Sequence, residues 1–225
     1  NQIWTVYPDG SVELEAAVTD NKPAMTLPRL GYAMKLPSYL ENYTYYGRGP
    51  VNNFNDRKTG QFVGLYDSKV ADMFVGFPKP QSMSNREEVR WSSLRDNDGN
   101  GLQFIALDTM SMSVLPWSEK QLANAPHPCD LPVSDGNWLH LDTKVTGLGG
   151  SSCGQGGPLS HDRVKGGNHH FGFIIRPITS SVDAPANARV GRGGVLPLSI
   201  VRNNKGEVSI SSADPDARII YTDGT

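Results

Sequence analysis

The chain has 225 residues, 37% of them hydrophobic, and a formal net charge of -2. That length can bury a sizeable core in one large or two small domains, while the charge supplies no basic field to attract nucleic acid or anionic lipid, and the longest apolar runs are far too short to span a bilayer. Its 24 glycines and 16 prolines exceed their usual combined share of about 12%, so turns are frequent and an all-β architecture is expected.

Period-two alternation runs through the chain. "IWTVY" and "SVELEAAV" read as two strands joined by the hairpin chemistry of Pro8-Asp9-Gly10, with Val12, Leu14, Ala16 and Val18 on one face. "LGYAMKL" alternates Leu30, Tyr32, Met34 and Leu36 against Gly31, Ala33 and Lys35. "GLQFIALD", "NWLHLD" and "FGFIIRP" are further short strands bounded by turn residues. Helical signal is confined to "SEKQLANA", where Ser118 and Gln121 match a capping box. Antiparallel sheets packed face to face are the expectation. After Pro177 the composition changes. Residues 179–194 read as a linker, and "LPLSIV", "EVSISS" and "RIIYT" within 195–225 read as strands of a partial second sandwich.

Several stretches offer chemistry. "GSSCG", Gly150 to Gly154, fits the G-x-S-x-G elbow around Ser152, but "QGGPLSHD" follows where a helix should open; a glycine-rich loop accounts for the same letters. Asp96, Asp98 and Asn100 fit the first half of a calcium loop, yet its twelfth position is Leu107, and an Asp/Asn/Gly hairpin turn explains the pattern as well. His169 and His170 are neighbours, so on a strand they point to opposite faces; His127, His140 and His161 have no ligand spacing. A retaining glycosidase needs two carboxylates about 5 Å apart. Glu87 and Glu88 are adjacent in a strand-like segment and should face apart, and Glu13 and Glu15 share what reads as a solvated face. No catalytic pair is expected, nor a metal or cofactor. Cys129 and Cys153 show no C-x-x-C pattern, which argues against structural zinc and leaves one disulfide or two thiols open. The opening "NQIWTVYPDG", without Met, and the closing "YTDGT" read as a piece of a longer polypeptide.

The motifs "LPRLG", "YYGRGPVNNFNDRKTGQFVGLY", "DMFVGFPKPQSMSNREEVRWSSL", "GLQF" and "GNWLHLDTKVTGLGG" occur in that order between Trp4 and Pro177. They resemble the C-terminal, small-chain domain of glycoside hydrolase family two β-galactosidases. The resemblance implies an antiparallel β supersandwich of the galactose mutarotase-like type over residues 1–178. It implies hydrolysis of terminal β-D-galactosides with retention by the whole enzyme. The acid and nucleophile glutamates would lie in an upstream (β/α)8 barrel absent from this chain, which would itself be inactive. Its known contribution in the family is a loop lining the aglycone side of the sugar pocket. That loop often reads G-G-D-D-S-W and here reads "GGSSCG", so Gly150, Ser151, Ser152, Cys153 and Gly154 are the candidate lining residues and the stacking Trp is missing. Gly47, Gly49, Pro50, Asp56 and Arg57 form a structural loop in this reading, with Asp56-Arg57 able to tie it by a charge-assisted hydrogen bond. The expected partners are the barrel and a galactoside; a homo-oligomeric full enzyme is compatible with the resemblance. "SSADPDARIIYTDGT" resembles the opening of a chitobiase-type C-terminal sandwich, which leans the location towards periplasmic or secreted. A stand-alone carbohydrate-binding sandwich and an aldose epimerase-like protein, the latter suggested by "NHHF", remain alternatives.

Overall fold

The computed structural model describes residues 1–20, 22, 24–150, 156–190 and 199–211. Thirteen strands are assigned there. They are β1 (Gln2–Val6), β2 (Val12–Val18), β3 (Thr26–Leu27), β4 (Arg29–Leu36), β5 (Asn42–Gly49), β6 (Phe62–Lys69) and β7 (Arg86–Arg95) in the first half. β8 (Gly101–Leu115), β9 (Asn137–Val145), β10 (Val164–Lys165), β11 (His169–Ile178), β12 (Ser199–Arg202) and β13 (Val208–Ser211) complete the set. All assigned pairings are antiparallel.

The main sheet runs β1-β2-β11-β8-β7-β5-β6 and branches at β8. Residues 101–106 of β8 pair with β11, whereas 111–115 pair with β9, which in turn pairs with β4. One long strand therefore serves two branches on the same edge. The branches close on each other: the Tyr32 ring of β4 lies 6.1 Å from Trp4 of β1 and 6.0 and 5.8 Å from Phe171 and Phe173 of β11. The core fills this gap, with Leu14, Phe104, Met112, Leu139, Leu141 and Phe173 fully buried. Each such side chain contributes about 1.5–3 kcal/mol by leaving water. The result is the all-β sandwich expected from alternation, and Leu30, Tyr32, Met34 and Leu36 do form the inward face of β4.

Local chemistry sets the corners. Gly10 takes φ +81 in the β1–β2 turn, and Asp9 Oδ1 accepts the Ser11 N–H at 2.9 Å. Helix α1 (Glu119–Asn124) opens on the expected capping box of Ser118 and Gln121. Part of the stretch read as linker is placed: helix α2 (Ala184–Asn187) buries Ala184 against Trp91, Ile105 and Ile174 on the outer side of the sheet. Gln103 Nε2 donates to Ala184 O at 2.7 Å, Arg176 Nη1 to Asn187 O at 2.7 Å, and Arg95 to Thr179 O and Val182 O at 2.9 Å. Further on, β12 and β13 form a two-stranded hairpin.

Candidate functional site

Strand β5 delivers the chain into the Gly/Asn-rich segment at one end of the sheet. Gly49 must be glycine: a Cβ there would lie 2.3 Å from the Tyr45 hydroxyl and 2.9 Å from the Tyr66 ring. The segment that follows is welded to β7 through Asn53, which is fully buried. Asn53 Nδ2 donates to Arg48 O and Val51 O, both at 3.0 Å, and Oδ1 accepts the Glu87 N–H at 2.8 Å. Asn53 N donates to Asn85 O at 2.9 Å, and Asn85 Nδ2 returns a bond to Asn53 O at 2.8 Å. The backbone N–H and C=O and both side-chain amide atoms of Asn53 thus have partners within the protein, which is what a buried polar residue requires, whereas Oδ1 of Asn85 is buried without a hydrogen-bond partner.

Beyond this anchor the side chains reach a second loop. The Asp56 carboxylate accepts the Leu148 N–H at 3.1 Å and the Gly149 N–H at 2.7 Å. Asn55 Nδ2 donates to Asp162 Oδ1 at 3.2 Å, and Asp162 O accepts the Gly147 N–H at 2.9 Å. Arg57 instead donates to Asn52 Oδ1, at 3.4 Å. Residues 147–149 are the base of the expected pocket-lining loop. Its Gly150 is exposed, while Ser151, Ser152, Cys153 and Gly154 lie outside the described residues. Two stretches singled out separately in the sequence, the structural loop and the lining loop, are thus in direct contact. Cys129 carries a free, exposed thiol.

Beside the contact between these two loops lies a polar cleft of about 350 Å³, bounded in part by Asn55, Lys58, Glu87, Glu88, Ser111 and Asp162. Here the expectation that Glu87 and Glu88 face apart is corrected. Arg86 pairs with Met112 and Val89 with Met110, so two residues oppose Ser111 alone. Glu88 sits at φ +53 in this bulge, and both carboxylates border the cleft. A bulge suspends the two-residue period and re-aims side chains. Burial pushes the Glu87 carboxyl up, against hydrogen bonds from Ser111 and Asn85, each 2.7 Å from Oε1. The Arg48 guanidinium, 2.9 Å from Glu88 Oε1, holds that carboxyl low, with Lys58 at 3.2 Å adding to the effect. Glu13 is also corrected. It is 3% exposed rather than solvated, because β2 lies between β1 and β11 and Tyr7 OH donates to its Oε2 at 2.7 Å.

The remaining candidates stay apart. Asp96 Oδ1 accepts the N–H groups of Asp98 and Asn100 at 2.9 and 2.8 Å, closing its own hairpin turn. Among the described residues, no group of three or more His, Cys, Asp or Glu is placed to hold a metal. Sequence reasoning passed over Asn53, Asn85, Ser111 and Asp162. Only the "NNFND" run hinted at the first, because asparagine and aspartate in a glycine-rich stretch are the usual partners of loop backbone.

The chain is 30% identical over 152 residues to the beta-galactosidase of Priestia megaterium, which covers 68% of the chain and 15% of the relative. It is 34% identical over 148 residues to that of Lactobacillus delbrueckii subsp. bulgaricus, covering 65% and 14%. It is 30% identical over 148 residues to that of Kluyveromyces lactis, covering 66% and 14%. The chain thus spans less than a fifth of the length of these relatives. The family model for the beta galactosidase small chain matches residues 1–175, and the chain belongs to that family.

Proposed function

We propose that this chain is a non-catalytic part of a β-galactosidase that cleaves terminal β-D-galactosides with retention. In this reading it braces an upstream (β/α)8 barrel, and loop 147–157 lines the aglycone side of the sugar pocket. The carrying observation is the coverage: a relative called beta-galactosidase is matched through about 15% of its length, so the carboxylate pair of the reaction has ample room elsewhere in such a polypeptide. The engagement of the carboxylates in the cleft supports the same reading. Glu87 Oε1 accepts from two neighbours and Glu88 is held by two cations, whereas an acid–nucleophile pair must be free to meet substrate.

The test is hydrolysis of a nitrophenyl β-galactoside by the pure chain. No turnover is expected. Hydrolysis abolished by Glu87→Gln or Glu88→Gln would overturn the proposal and make the cleft itself the active site.

A further inference from the structure

We propose that Asp56 is a positioning residue for the substrate-lining loop, with Asn55 holding Asp162, just beyond the loop's returning end. This rests on the reading that loop 147–157 lines the aglycone side. Two successive backbone N–H groups, those of Leu148 and Gly149, converge on the two oxygens of one carboxylate at 3.1 and 2.7 Å. Gly149 has φ +93. Successive N–H groups in a left-handed turn form an anion-binding concavity, and hydrogen bonds to an ionised acceptor are about twice as strong as neutral ones. A neighbouring glycine makes the approach possible: a Cβ on Gly147 would lie 2.5 Å from both Asp56 Cγ and Oδ2.

The clamp acts on a closed neck. A Cβ on Gly149 would come within 3.0 Å of Gly156 O, so the outgoing and returning limbs touch. The turn that follows the loop is tied in as well, where Asn55 Nδ2 donates to the Asp162 side chain and Asp162 O accepts the Gly147 N–H. Asp56 in turn stands on a rigid support, because buried Asn53 fixes its segment to Asn85 and Glu87. A lining loop contributes to a reaction only if its geometry is held, and small displacements are costly. The Asp56 carboxylate is the group that ties the base of this loop, at Leu148 and Gly149, to the sheet.

The experiment has two arms and two variants. Asp56→Asn replaces one acceptor oxygen by a donor facing an N–H. Gly147→Ala leaves Asp56 intact and drives its carboxylate away. In this chain, amide exchange at Leu148 and Gly149 should quicken at least tenfold in both variants, with β8 and β9 unchanged. In the full-length parent enzyme, both should raise KM for a galactoside with a sugar aglycone at least fivefold, with a smaller fall in kcat. Transfer to added glucose should fall by a similar factor. Unchanged exchange in both variants overturns the clamp. Quickened exchange with KM and kcat falling in proportion, or neither changing, overturns the positioning role and the pocket-lining reading together while the clamp stands. Should Asp56→Asn fail to fold, Gly147→Ala carries the test alone.

Discussion

Asp142 and His140 should give the protein two opposed pH dependences that nearly cancel until one is removed. They lie two residues apart on β9, opposite Ser111 and Ser113 of β8. Asp142 is 1% exposed. Burial pushes its carboxyl up to about 7; Arg29, 3.7 Å away, opposes this, and Glu119 and Glu87 add to it. Burial pushes the His140 imidazole down to about 4, with Arg29 adding. Glu119 Oε1 lies 3.7 Å from His140 Nε2, but it accepts from Arg29 Nη1 and Ser82 Oγ, both at 3.1 Å, which leaves the imidazole neutral.

The signs follow from proton linkage. An unfolded Asp titrates near ~3.9, so the folded protein binds the extra proton between about 4 and 7, and stability falls as pH rises through that window. At about 1.4 kcal/mol per pKa unit the loss is about 4 kcal/mol. An unfolded His titrates near ~6.5, so the folded protein binds fewer protons between about 4 and 6.5, and stability rises by about 3 kcal/mol over that range. Glu87, also raised by burial, tilts the balance further towards loss at high pH. Wild type should therefore show only a shallow decline. Asp142→Asn should gain stability by about 3 kcal/mol from pH 4 to 6.5, and His140→Gln should lose about 4 kcal/mol from pH 4 to 7. Urea unfolding followed by tryptophan fluorescence at half-unit pH steps measures both. Profiles for the two variants that run parallel to wild type would refute the reasoning, because neither group would then change its proton affinity on folding.

Phe104, fully buried on β8, should cost about 3–5 kcal/mol on replacement by Ala, read by the same urea unfolding; a loss below about 1 kcal/mol would place it outside the core. Cys153→Trp in the full-length enzyme should strengthen acceptor-sugar binding by about 1 kcal/mol, the scale of one aromatic contact; unchanged inhibition by glucose and unchanged transglycosylation would remove loop 147–157 from the pocket. Amides of β12 and β13 should exchange faster than those of β8 and β9, and equal protection would join the C-terminal strands to the first domain.

The sheet was legible where alternation had a single buried face. On β4 the inward residues Leu30, Tyr32, Met34 and Leu36 were picked out by period alone, because Gly31, Ala33 and Lys35 face outward and exposed. The end of β8 was not. "TMSMSVL" continues that strand to Leu115 with Met110, Ser111, Met112, Ser113 and Val114 all buried. Its serines look like a solvated face but sit under Glu87 and beside β9. Small residues misled in the same way after Pro177. A stretch without large apolar side chains reads as linker, yet Ala184 can approach Trp91 and Ile105 closely because it is small.

The site was legible as parts and not as an assembly. Asp56 and the glycines at 147 and 149 each announced a loop, but the bonds that join Asp56 to Leu148 and Gly149 cross 92 and 93 residues of sequence. They run from backbone to side chain, and such a pairing leaves no periodic trace in either segment. The bulge at Glu87 and Glu88 escaped for a related reason. Alternation assumes an unbroken register, whereas this register shifts between Arg86 and Val89, bringing to one cleft two carboxylates that a regular strand would separate. Both features lie at the end of the sheet where β5 and β7 meet the loops. There the repetitive ladder gives way to individually satisfied polar groups. Periodicity carries information about surfaces that repeat, so it fades where the chain turns from building a sheet to holding a loop.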